Sequence, residues 1–157
     1  MTGPENGKGP RIVVGVDGSP SSQEALRWAV REARIVGGTV DAVTAWEYPA
    51  GVGGFGWSPG AGFAAFAASD LASVADKTLN DAVDEVLAAE NEVTVRRQVR
   101  EGYPARALMD AANGADLLVV GSRGHGGFAG LLLGSVSAHC VHHAPCPVLV
   151  IRGQADH

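Results

Sequence analysis

An open α/β fold, doubly wound around one parallel sheet, is what this sequence predicts. Three observations carry that expectation. Short apolar runs alternate with stretches of helical periodicity through most of the chain. The runs are nearly continuous in Val, Ile and Leu, as strands covered on both faces require. Gly, Pro and Ser cluster at the junctions. Right-handed crossovers then leave few topologies, and no internal repeat complicates the reading.

Residues 1–10 (MTGPENGKGP) are polar and rich in Gly and Pro, which predicts a loose tail. Arg11–Asp17 (RIVVGVD) is the first predicted strand. Ser19 or Ser21 can cap the helix that follows: Pro20 suits a first helical position after Ser19, and Ser21 with Glu24 has capping-box spacing. Leu26, Ala29, Val30 and Ala33 recur at helical spacing until Gly37-Gly38 stops the helix. Thr39–Ala45 is the second strand. The stretch from Glu47 to Phe63 holds six glycines and two prolines, which predicts a mobile loop.

A strong amphipathic helix follows, with Leu71, Val74, Ala75, Thr78, Leu79, Ala82, Val83, Val86 and Leu87 on its apolar stripe. Val93–Val99 is the third strand. Tyr103-Pro104 opens a short helix that Asn113-Gly114 closes. Ala115–Gly121 is the fourth strand, apolar but for Asp116. A further helix starts near Ser135, and Pro147–Arg152 is the fifth strand. The domain therefore runs over residues 11–152, with 153–157 as a short tail.

The length of 157 residues suits one domain with one core, and no disulfide or metal is needed to stabilise it. A net charge of −5 argues against nucleic acid as a partner, because phosphate backbones demand a basic face. No apolar run of ~20 residues exists to span a membrane, and the first ten residues lack the apolar segment of a signal peptide. The expected location is the cytoplasm. Cys140 and Cys146 do not form a secreted disulfide pattern.

The most informative segment is Gly121-Ser122-Arg123-Gly124, nine residues, then Gly134-Ser135. It leaves an apolar strand and leads into a helix. In open α/β sheets, ligands bind outside the carboxyl ends of the strands, at the switch point. Glycines let backbone approach a ligand closely, successive N–H groups make an anion nest, and a helix N-terminus adds free donors and a positive dipole end. Such a set can hold a polyphosphate without lysines. The competing reading is a flexible surface loop with a helix cap. A P-loop string is absent. Gly124, Gly126 and Ala129 do fit the dinucleotide pattern G-x-G-x-x-A, but no Asp or Glu occurs between Asp116 and Asp156 to bind a ribose.

These residues resemble the universal stress protein family, whose ATP-binding signature is G-x-x-G, nine residues, then G-[ST]. Gly121, Gly124, Gly134 and Ser135 keep that spacing in full. The resemblance extends to RIVVGVDGSPSS, GYPARAL and GSVSAHCVHHAPCPVLVIR, nearly the whole chain beyond the tail. It implies a five-stranded parallel sheet of order 3-2-1-4-5. It implies that Gly15, Val16 and Asp17 line an ATP pocket. Asp17 would bind the Mg that bridges the phosphates, directly or through water, or else act as a turn residue capping the Ser19 N–H. Adenine would be read by backbone at Ala45. Gly121, Gly124, Gly134 and Ser135 would cradle phosphates and ribose. Ser122 and Arg123 lie inside the motif, and Arg123 either pairs with a phosphate or stays a solvated surface residue. Val136 follows the motif and begins a buried stripe. The resemblance also implies a homodimer through the last strand, Pro147–Arg152, an edge with apolar Val148 and Val150.

The function expected from this resemblance is an ATP-binding regulatory module. Two alternatives stand beside it: a slow ATPase or phosphotransferase using the same pocket, and a nucleotide-free dimeric interaction protein. No catalytic residue is assigned, since fast hydrolysis needs a placed base and charge stabilisation beyond Asp17 and Arg123. His125 would at most position a water. His139 and His143 stand four apart with Cys140 and Cys146 near, a pattern read as core cysteines and surface histidines rather than zinc ligands. Trp46, Tyr48, Phe55, Trp57, Phe63 and Phe66 make either a lid over adenine or a partner-binding or poorly ordered insertion.

Overall fold

The computed structural model describes residues 9–47, 68–123 and 133–153. The tail before residue 9, most of the Glu47–Phe63 stretch with its aromatics, and Gly124 and His125 lie outside the described residues. Among the described residues nine elements alternate: β1 (Arg11–Gly15), α1 (Pro20–Val36), β2 (Thr39–Trp46), α2 (Ala68–Leu87), β3 (Val95–Glu101), α3 (Pro104–Ala111), β4 (Leu117–Gly121), α4 (Ser135–His143) and β5 (Val148–Ile151). The sheet is five-stranded with order β3-β2-β1-β4-β5. Every pairing is parallel.

Strand periodicity divides the apolar residues between two cores. Ile12, Val14, Val40, Ala42 and Val119 face α1 and α2, where they meet Leu26, Ala29, Val30, Leu79 and Val83. Val13, Val43, Leu118 and Val120 face the other way, onto Ala105, Leu108 and Cys140 of α3 and α4. The central strands bury both faces, which is why β1 and β4 read as unbroken apolar runs.

Ser19 is the N-cap of α1. Its Oγ accepts the Ser22 N–H at 3.3 Å, and Pro20 takes the first helical position, where it sacrifices no hydrogen bond. Gly37, at φ 73°, ends the helix in the left-handed region, and the Gly38 N–H returns to the Ala33 carbonyl at 2.8 Å. In α2 the buried stripe is Ala75, Leu79, Ala82, Val83 and Val86. Val74, expected on that stripe, is 61% exposed. At ~100° per residue it falls well outside the arc the other five share.

β3 begins two residues later than the sequence suggests. Val93 is buried in the turn before it, and the strand then runs on to Glu101 because β2 pairs with it as far as Trp46. β4 begins at Leu117 rather than Ala115. Asp116 belongs to a clamp at the amino end of the sheet, accepting the Arg11 N–H on its Oδ2 at 2.9 Å. The centre of that clamp is Asp41, 2% exposed, with Oδ2 2.7 Å from Arg11 Nη1 and Oδ1 2.6 Å from Arg96 Nε. Arg11 also donates to the carbonyls of Ala111 and Asn113, which close α3.

Candidate functional site

The chain leaves β1 toward one face of the sheet and β4 toward the other, which makes the β1 and β4 carboxyl ends the switch point where open α/β sheets form a ligand crevice. The β1 exit is held by main chain and hydroxyls. The Val16 N–H donates to the Val43 carbonyl at 2.8 Å, and the Val16 carbonyl accepts the buried Thr44 hydroxyl at 2.7 Å. Asp17 is exposed; its N–H donates to Ser22 Oγ at 3.2 Å, and its Oδ1 accepts the Ser19 N–H at 2.8 Å. The turn-capping role open to Asp17 is therefore present in the structure, and it leaves the carboxylate at the rim.

Gly121 ends β4 against the first turn of α1. A Cβ there would stand 2.7 Å from the Ser21 carbonyl carbon and 2.8 Å from the Ser22 nitrogen. Only glycine lets β4 approach α1 so closely. Ser122 follows, buried, with its N–H on the Ile151 carbonyl at 2.8 Å. The Ser122 carbonyl accepts both the Gly134 N–H at 2.7 Å and the Ser137 hydroxyl at 3.0 Å. Ser122 and Gly134, on either side of the glycine-rich stretch of the sequence, are thereby tied together, and the N-terminus of α4 is fixed beside the β4 exit. Gly134 is the N-cap residue and brings no side-chain cap to α4, whose first-turn N–H groups have no intrahelical acceptor. Ser135 is exposed at that terminus, and Val136 packs partly buried on the second core, as expected for the start of a stripe.

Gly15, Val16, Asp17, Gly121, Ser122, Arg123, Gly134, Ser135 and Val136 thus belong to the two strand exits and to α4 beside them. Ala45 lies near the end of β2, half-buried and in register with Arg100. Arg123 is exposed, and its backbone meets the α1 serines: its carbonyl accepts from Ser19 Oγ at 3.4 Å and from Ser21 Oγ at 2.5 Å. Sequence reasoning overlooked Ser22, Thr44 and Ser137 as supports, and treated Ser21 only as a possible cap. Their signal is faint: polar residues placed where the periodicity demands burial.

Asp17 offers a hard oxygen donor of the kind magnesium accepts, and a single carboxylate suits an ion held mainly by phosphates and water. Elsewhere, no group of three or more His, Cys, Asp or Glu among the described residues is arranged to hold a metal. Cys140 is fully buried, and burial followed by the neighbouring Cys146 pushes its thiol up to about 11. Burial also raises Cys146. His142 and His143 are exposed, with the His139 and His143 rings 4.7 Å apart. No described helix is long and apolar enough to cross a membrane.

Comparison with known proteins agrees with this architecture. The family model described as the universal stress protein family matches residues 10–152. A universal stress protein of Mycolicibacterium smegmatis is 34% identical over 153 residues, 93% of this chain and 50% of its own length. The chain spans about half the length of the curated relatives it matches. Among solved structures, a universal stress protein from Lactobacillus plantarum superposes with a TM-score of 0.68 at 25% identity, over 94% of this chain and all of the other. One solved in complex with cAMP gives 0.65 at 30% identity, over 91% and 96% of the two chains. One from Archaeoglobus fulgidus, in complex with dAMP, gives 0.63 at 25% identity, over 90% and 97%. The chain belongs to the universal stress protein family.

Proposed function

We propose that this domain is a regulatory module that binds an adenine nucleotide, ATP with magnesium, in the crevice between the β1 and β4 exits. The observation that carries the reading is the junction of Gly121–Arg123 with the N-terminus of α4 through the two hydrogen bonds on the Ser122 carbonyl. It sets a glycine-rich strand exit beside a helix end whose N–H groups need acceptors, and phosphate oxygens are good acceptors there. Val16 and Asp17 close the other side, with Asp17 holding the magnesium through its carboxylate or a bound water. Ala45 would meet adenine through its backbone. Two structural relatives were solved with cyclic or deoxy adenosine monophosphates, which supports an adenine-reading site.

Asp17 and Arg123 alone are fewer groups than fast phosphoryl transfer uses, so the nucleotide acts as a ligand rather than a substrate in this reading. β5 is a four-residue edge strand, partly exposed at every position, and pairing of two copies through it would complete a homodimer. The test is calorimetric titration of nucleotide-stripped protein with ATP, with and without magnesium. One ATP per chain, bound more tightly with magnesium and lost in Gly124→Val, is the expected result. Absence of saturable binding at millimolar ATP overturns the proposal.

A further inference from the structure

α4 carries three histidines that the nucleotide reading does not use, His139, His142 and His143. His139 and His143 stand one turn apart, and side chains at that spacing share a face of the helix. Their ring centroids are 4.7 Å apart and their planes are tilted by 44°, so the rings are neighbours without being stacked. His143 is exposed and His139 half-buried. Tyr103, the N-cap of α3, meets the His139 ring edge-on with centroids 6.2 Å apart, which braces one side of that ring.

An ion shared by two imidazoles fixes the distance between them. With a metal–nitrogen bond of about 2.1 Å each centroid lies about 3.2 Å from the ion, so ligands at a right angle set their centroids about 4.5 Å apart and ligands at the tetrahedral angle about 5.2 Å apart. The observed 4.7 Å lies nearer the right angle, which nickel(II) and copper(II) adopt with nitrogen and oxygen donors in tetragonal sites. The place also suits a cation electrostatically. His143 is the last residue of α4, where unpaired carbonyls and the negative dipole end lie. His142 is no substitute: its ring is 6.2 Å from that of His143, wider than either geometry allows. Among the described residues no third His, Cys, Asp or Glu joins the pair in a larger metal cluster.

We propose that His139 and His143 form a two-histidine surface site for a tetragonal divalent metal ion, nickel(II) or copper(II), with water completing its shell. The site is independent of the nucleotide reading. Removing either imidazole leaves a single ligand, and the chelation lost with it corresponds to at least about tenfold in affinity.

The experiment titrates the full chain calorimetrically with nickel(II) and with zinc(II) at about pH 7.5, where imidazoles are neutral, alongside His139→Ala, His143→Ala and His142→Ala. Nickel serves as the probe because Cys140 and Cys146 are free thiols, which copper(II) would oxidise. All three histidines are at least partly exposed, so the variants empty no core, and circular dichroism verifies that each is folded. The expected result is one nickel per chain, bound more tightly than zinc, at least about tenfold weaker in His139→Ala and in His143→Ala, and changed by less than about twofold in His142→Ala. Unchanged nickel affinity in either His139→Ala or His143→Ala overturns the proposal, and so does a loss in His142→Ala as large as in those two. Zinc held more tightly than nickel overturns the right-angle geometry.

Discussion

Two glycines of the crevice, changed to alanine one at a time, should respond differently, one losing stability and the other nearly unchanged. At Gly121 the new Cβ meets backbone, 2.7 Å from the Ser21 carbonyl carbon, which is 0.7 Å short of the 3.4 Å of ordinary contact. That backbone cannot yield cheaply. It is the first turn of α1, fixed by the Ser19 cap and by the Gln23 N–H on the Ser19 carbonyl at 3.0 Å. Overpacking of this kind costs about 1–3 kcal/mol. Alanine returns about 0.4–1 kcal/mol by restricting the unfolded chain, since Gly121 is not among the positive-φ glycines. A net loss of roughly 1–2 kcal/mol remains. At Gly15 the Cβ would come as close, 2.8 Å, but to Leu108 Cδ1, the far end of a side chain that can rotate away. There the same unfolded-state gain nearly cancels a smaller strain, and the net change should lie within about 0.5 kcal/mol. Urea unfolding followed by circular dichroism reads both, with the slope m unchanged to certify that only stability moved. If Gly121→Ala proves as stable as Gly15→Ala, the close approach of β4 to α1 is not what demands glycine, and the packing argument for this crevice fails.

At the amino end of the sheet, Asp41→Ala should cost about 3 kcal/mol. It strands Arg11, whose guanidinium remains tied to the Ala111 and Asn113 carbonyls with its charge unmatched. Arg96→Ala should cost less than about 1 kcal/mol, because that side chain is half exposed and Asp41 keeps Arg11; equal losses in urea unfolding would contradict the assignment of Arg11 as the essential partner. Cys140 predicts a pH dependence. The unfolded thiol ionises near 9.0 and the folded one near 11. Below 9 both hold the proton and the contribution is whole; between 9 and 11 only the unfolded chain releases it, and stability falls. The stability gap between wild type and Cys140→Ala, measured by thermal unfolding, should therefore narrow from pH 9 to 11, and a constant gap would count against burial of the thiol.

The parts of this fold legible in the sequence are those that burial dictates. RIVVG and LLVVG are central strands because both faces are covered, and SPSS before a periodic stretch marks a helix start. The start of β3 is shifted by two residues from the sequence expectation because an edge strand carrying Arg96, Arg97 and Arg100 has only Val95 and Val99 to set its phase, and Val93 competes with them from the turn. In the crevice the glycine spacing is visible in the sequence, and at Gly121 its reason is structural: a Cβ there would meet the backbone of Ser21 and Ser22. The hydroxyl supports were not legible. Whether Ser21, Thr44 or Ser137 meets a carbonyl depends on which backbone is brought near by tertiary packing, and local sequence holds no record of that.

The two ends of the sheet solve the same problem with different chemistry. At the amino end, carboxylates and guanidiniums clamp β1, β2, β3 and the end of α3. At the carboxyl end the corresponding work is done by neutral hydroxyls: Thr44 on Val16, Ser21 on Arg123, Ser137 on Ser122. A hydroxyl can satisfy a carbonyl without adding charge, so the loops are fixed while the local potential is left to N–H groups and the α4 terminus. From Leu117 to Ala155 the chain carries no acidic residue. Asp17 is the exception at the rim, and its Oδ1 is engaged by the Ser19 N–H. Were the crevice only a place where loops meet, charged clamps would serve it as well as they serve the amino end. Among the described residues the side-chain supports of the crevice named above are, Asp17 apart, neutral hydroxyls, an arrangement compatible with the anion proposed above.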